Sequence, residues 1–118
     1  MSFDLRIAVK VDGTDIMAQI AEPEHANPTY NIGNLFRACT GWDFRQSEYY
    51  KCEEVLPKIL HGIDELRMHP SKYKKYEPDN GWGSVGGALS ALESLRDCIG
   101  EVVNDYPGIP IEHLWVAW

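Results

Sequence analysis

Nowhere does this 118-residue sequence hold an apolar run approaching the ~18–20 residues that span a bilayer, which excludes an integral membrane helix. Cysteine is sparse: Cys39, Cys52 and Cys98 are odd in number and widely spaced, so they make no disulfide framework and no paired C-x-x-C motif. Met1–Arg6 has no secretory leader, and two of the cysteines fall on apolar helix faces. The expectation is therefore reduced, buried thiols in the cytoplasm. Base is in deficit as well, with 11 Lys and Arg against 18 Asp and Glu and a net charge of −7. That balance speaks against a general nucleic-acid binder, because phosphate contacts need clustered Lys and Arg.

Catalytic constellations are missing too. His25, His61, His69 and His113 lie far apart, with no H-E-x-x-H and no nucleophile elbow. Asp64 and Glu65 adjoin each other without an identifiable partner carboxylate, and nothing assembles a nucleophile, a base and an oxyanion hole. His61 with Glu65 makes an i,i+4 pair, which reads as a surface ion pair or as half of a metal site. Neither a cofactor nor a metal is called for.

What is present is ordinary globular material. Hydrophobic residues make up 44% and charged residues 25%, with four Trp, six Tyr and three Phe to bury. One domain spanning 1–118 is expected from this length. The acidic surface suits solubility, a basic protein partner, or mimicry of a nucleic-acid backbone.

The order of elements predicts an α+β fold. Phe3, Leu5, Ile7, Val9 and Val11 alternate with Asp4, Arg6, Ala8 and Lys10, the period of a strand with one apolar face. Asp12-Gly13 supplies a tight turn, and Ile16, Ala18 and Ile20 continue the alternation to Pro23, giving a β-hairpin. Glu22–Tyr30 reads as a loop, after which Thr29 or Asn31 caps a short helix with the face Ile32, Leu35, Phe36 and Cys39, ended by Gly41. Gly41–Tyr50 reads as irregular. A second helix starts near Cys52 or Glu53, carries Leu56, Ile59, Leu60, Ile63 and Leu66, holds Pro57 in its first turn, and closes at Met68-His69-Pro70. A third runs from about Ser84, its N-cap, to Asp105, with Gly86 and Gly87 marking a tightly packed or functional start. The tail Ile109–Trp118 alternates again as a strand. A small antiparallel sheet of hairpin plus C-terminal strand, packed by about three helices, is the expected architecture.

The best place for a site is Lys72–Ser84. Between Leu66 and Tyr76, Arg67, Lys72, Lys74 and Lys75 stand without an acid, a local charge of +4 in a chain of −7. Tyr73, Tyr76 and Trp82 are interleaved with that charge, and Asn80-Gly81-Trp82-Gly83-Ser84 leads into the third helix. A glycine loop at a helix N-terminus offers unpaired N–H groups to a phosphate, nearby rings can stack a base, and lysines neutralise the anion. The candidate ligand-binding residues are thus Lys72, Lys74, Lys75, Tyr76, Asn80, Gly81, Trp82, Gly83 and Ser84. The competing reading is structural: a turn, a Trp plugging the core, and a solvated lysine segment. The loop is neither a Walker A motif nor a dinucleotide fingerprint.

The hairpin start, Tyr30-Asn31-Ile32 with Asn34 and Phe36, and the stretch from Tyr73 to Gly83 together resemble a group of small phage and prophage proteins. Asn80-Gly81-Trp82-Gly83 is the most recognisable part, and no site residues carry over from the group. The resemblance implies expression in a host bacterial cytoplasm, where compact phage proteins bind and blunt a host machine. Leu114-Trp115-Val116-Ala117-Trp118 is more aromatic than that group suggests, and reads as a candidate homo-oligomer interface. The expectation is a non-catalytic binding protein that interferes with host defence. It either meets a basic host protein through its acidic surface or captures a phosphorylated small ligand at Lys72–Ser84. The alternatives are a small enzyme acting on a nucleotide-like substrate through His61 or His69, or a purely structural phage protein.

Overall fold

The computed structural model describes residues 5–11, 13–23, 33–42, 49–78 and 83–117. Strands β1 (Arg6–Lys10) and β2 (Met17–Ala21) form the hairpin, α1 is Gly33–Thr40, β3 is Tyr49–Lys51, and α2 is Cys52–Met68. A one-turn helix α3 (Pro70–Tyr73) runs into a 3-10 turn at Lys74–Tyr76, α4 is Val85–Asp105, and a 3-10 turn at Ile111–His113 precedes β4 (Leu114–Ala117). The sheet is antiparallel with strand order β2-β1-β4-β3, so the fold is α+β. Among the described residues no helix is long and apolar enough to cross a membrane.

The sheet has two unlike faces. Ile7 pairs with Val116 and Val9 with Leu114, and Ile7, Leu114 and Val116 are fully buried in one cluster with Phe36, Ile59, Ile63, Leu92 and Ile99 from the helices. The alternating register turns Arg6, Ala8, Lys10, Trp115, Ala117, Tyr49 and Lys51 to the other face. A bulge between Ile7 and Ala8 inserts one residue into β2, so that Ile20 and Ala21 both pack against the core.

Several local expectations are corrected. The hairpin connection is wider than a two-residue Asp-Gly turn. Val11 N–H donates to Ile16 O and Thr14 N–H to Val11 O, while Gly13 takes φ 74°. Val11 and Ile16 are consequently exposed, and among the described residues the N-terminal apolar stripe is buried at Leu5 and Ile7 and half-buried at Val9. Tyr49 and Tyr50, read as irregular, belong with Lys51 to an edge strand that passes directly into α2. Pro57 lies in the second turn of α2, not the first; the helix begins at Cys52 and tolerates the lost N–H there. Leu60 is exposed rather than part of the apolar stripe. The chain does not simply stop at Pro70: the proline starts α3, consistent with its preference for a first helical position. Phe3, Asp12, the Thr29 or Asn31 cap, Ile32, Asn80, Gly81, Trp82 and Trp118 lie outside the described residues.

Candidate functional site

The basic segment hangs between two long helices. On α2, the spacing of four puts His61 and Glu65 on one face, and His69 follows one turn later just past the helix end. α3 then turns the chain back so that Tyr73 is buried beside α2, where its hydroxyl donates to the Glu65 carboxylate. Lys72 Nζ is 3.6 Å from Glu65 Oε1, and the Nε2 atoms of His61 and His69 lie 3.9 Å from Oε1 and Oε2 respectively. The Tyr73 hydrogen bond, with the Lys72 and histidine charges, holds the Glu65 carboxyl below its ordinary range. Reciprocally, the Glu65 charge raises the Lys72 ammonium, and burial first, then the bond to Glu65, raises the Tyr73 phenol.

Half of the local positive charge is therefore answered from within. Arg67 Nη2 donates to Glu93 Oε2 at 2.8 Å, tying α2 to α4, and Lys72 faces Glu65. Lys74 and Lys75 remain exposed, and among the described residues neither meets a carboxylate. Lys75 Nζ sits 5.3 Å from the Tyr76 ring centroid, Lys72 Nζ 5.3 Å from that of Tyr73, and the two rings are 6.3 Å apart.

The N-terminus of α4 is also answered from within. Ser84, extended at φ −149°, accepts the Gly87 N–H at 2.9 Å, the N-cap arrangement the sequence suggests. Glu77 Oε2 accepts the Val85 N–H at 2.8 Å, placing a carboxylate where an incoming anion would sit. Gly83 takes φ 150°, a conformation open to glycine, and a Cβ at Gly87 would stand 3.2 Å from the Ser84 hydroxyl. The glycines at this end thus serve the cap. A phosphate entering here must displace Glu77.

Of the residues put forward from sequence, Lys72, Lys74, Lys75 and Tyr76 share the α3 and 3-10 segment, Gly83 and Ser84 open α4, and Asn80, Gly81 and Trp82 are outside the described residues. Sequence reasoning named Glu65 only as a partner of His61 and missed Glu77; the two flank the acid-free stretch, Glu65 reaching into it at Lys72 and Glu77 reaching forward to Val85. The i,i+4 relation of His61, Glu65 and His69 was a usable signal; the eight-residue reach of Glu77 to Val85 was not. Among the described residues no group of three or more His, Cys, Asp or Glu is arranged to hold a metal ion.

A different surface gathers acid. On α4, Asp97, Glu101 and Asp105 recur every four residues and are exposed. Glu22, leaving β2, joins Asp97 and Glu101 around a cleft of about 310 Å³ whose lining holds three carboxylates and no base. Arg96, beside it, pairs with Asp97 at 2.9 Å. The chain matches no protein-family model, no curated protein and no solved structure.

Proposed function

We propose that this chain is a non-catalytic binding protein whose acidic α4 face receives a basic surface of a partner protein. The observation that carries the reading is the cleft of Glu22, Asp97 and Glu101, continued along the helix by Asp105. Three carboxylates around a concavity suit an inserted Lys or Arg side chain, and the net charge of −7 steers such a partner at long range. The phage setting implied by the sequence resemblance makes a basic bacterial protein, such as a nuclease, the partner class. Interference with host defence is then the consequence. Capture of a phosphorylated ligand at Lys72–Ser84 has less support, because Glu77 and Ser84 already occupy the Val85 and Gly87 donors of α4 and Glu65 engages Lys72.

Native mass spectrometry of protein purified from bacterial host cells tests the reading. A co-purifying basic subunit whose association slows steeply with salt, and slows further in Asp97→Asn/Glu101→Gln, supports it. A salt-independent association rate removes it. A co-purifying nucleotide, released by Lys74→Ala or Lys75→Ala, moves the assignment to the lysine segment.

A further inference from the structure

The open face of the sheet has a composition opposite to that of the chain. Acids outnumber bases 18 to 11 overall, yet the residues that β1, β3 and β4 turn outward include Arg6, Lys10 and Lys51 and no acid. His113, the last residue of the 3-10 turn before β4, lines the same depression as Lys10. Two aromatic rings stand among these cations: Trp115, half-buried, and Tyr49, exposed on the neighbouring strand. Trp115 pairs with Lys51 and Tyr49 with Ala117, so the two residues are diagonal neighbours, with Cα atoms about 7–8 Å apart by strand geometry. Ala8 and Ala117 keep the ground near them low.

Two depressions mark the same face. One of about 530 Å³, within the ~300–1,000 Å³ range of small-ligand sites, has Trp115 with Lys10, Lys51 and His113 in its lining. The other, of about 120 Å³, lies between Arg6 and Tyr49. Lys51 Nζ stands over the Trp115 ring, 5.8 Å from its centroid, so the cation shares the aromatic surface on which a base would stack. The rim acids are Asp15 and Glu112. Lys10 meets Asp15 at 3.5 Å, but Asp15 is fully exposed, so this pair gives way readily to a stronger anion. Among the described residues the Arg6 Nε is buried with no hydrogen-bond partner.

We propose that this sheet face binds a short stretch of single-stranded nucleic acid, one base stacking on Trp115 and the next on Tyr49, with phosphates held by Lys10, Lys51 and Arg6. Rings on adjacent strands of an antiparallel sheet, bordered by cations, are the recurrent means by which sheets hold unpaired bases. The net charge of −7 still excludes duplex coating: a duplex buries its bases in its own stack and brings its whole field against the acidic helices. The site is separate from the acidic α4 face, and the two readings stand or fall independently.

Fluorescence anisotropy of 5′-labelled oligo-uridylate and oligo-thymidylate of about eight nucleotides tests the proposal. Three phosphate contacts predict a slope of about −2 in log affinity against log salt, roughly a twenty-fold loss between 50 and 200 mM. Lys10→Ala and Lys51→Ala should each flatten that slope by about 0.7, with Lys58→Ala on exposed α2 unchanged. Trp115→Ala should weaken binding roughly five- to 150-fold and Trp115→Phe much less, which separates stacking from any loss of fold. The RNA and DNA arms identify the strand type. Absence of binding at 50 mM salt by folded protein, equal weakening by Lys58→Ala, or equal binding of the duplex overturns the proposal.

Discussion

Replacing Gly62 by alanine should destabilise the protein, although alanine is the better helix former by about 1 kcal/mol. Gly62 lies inside α2 at the crossing with α1, where a Cβ would meet Thr40 Cγ2 at 2.5 Å, Leu92 Cδ1 at 3.3 Å and Cys39 Sγ at 3.4 Å. Thr40 is poorly placed to yield. It is buried, its hydroxyl donates to Phe36 O at 2.6 Å, and the same oxygen accepts the Trp42 N–H at 2.9 Å, so its rotamer is fixed at both ends. Overpacking a well-filled contact costs about 1–3 kcal/mol, and the closeness here argues for the upper half of that range. Net of the propensity gain, a loss of about 1–2 kcal/mol is expected. Gly100, in α4 with nothing within 4 Å of a built Cβ, is the control: Gly100→Ala should stabilise by up to about 1 kcal/mol. Thr40→Ser removes the obstructing methyl and keeps the hydroxyl, so Gly62→Ala/Thr40→Ser should recover most of the loss once the cost of Thr40→Ser alone is subtracted. Urea denaturation of the four variants measures this. If Gly62→Ala and Gly100→Ala shift the midpoint equally upward, α1 and α2 do not cross through Gly62.

Two further outcomes follow from the titrating groups. Glu65 is held below its ordinary value of 4.5, so its contribution to stability is present above that value and lost as pH falls through the lower folded-state value. Tyr73→Phe removes the largest cause, and NMR titration of the Glu65 carboxyl carbon should show its midpoint rising toward 4.5; an unmoved midpoint would refute the Tyr73 bond. Burial pushes the Cys39 and Cys52 thiols up to about 12 and raises Cys98, so native protein at pH 8 should take up iodoacetamide far more slowly than urea-unfolded protein. Rapid modification of Cys52, followed by peptide mass spectrometry, would show that the start of α2 opens readily.

The parts of the fold legible in the sequence are those where one signal acts alone. α4 carries an unbroken apolar stripe and a serine cap, and it starts and ends where those features place it. The Cys52–Met68 helix is equally plain, since Glu53 and Glu54 favour its start and His69-Pro70 its end. Tyr49–Lys51 was not legible because three residues cannot display a period; only pairing with β4 makes them a strand. The wide hairpin turn escaped notice because Thr14 accepts the Ile16 N–H and stabilises a longer loop than Asp-Gly requires. The lysine segment was legible as a run of charge. Its compensation was not, because Glu65 on α2 and Glu93 on α4 approach it from outside the run, pairing with Lys72 and Arg67.

Strand order also decides how the aromatic C-terminus can make contact. β4 lies between β1 and β3 and is hydrogen-bonded on both sides, so it has no backbone edge to offer another chain. Self-association through this strand therefore has to use its outward side chains, chiefly Trp115, and those stand among Arg6, Lys10 and Lys51. Two copies meeting face to face would bring these like charges together, which opposes association. The same cations favour an anionic occupant. Acid on α4 and base around Trp115 thus divide the molecule into two surfaces of opposite preference, with β2 and β3 as its sheet edges. The two proposed occupants, a basic protein on α4 and an unpaired nucleic-acid strand on the sheet, each follow the sign of charge on the surface that would receive them.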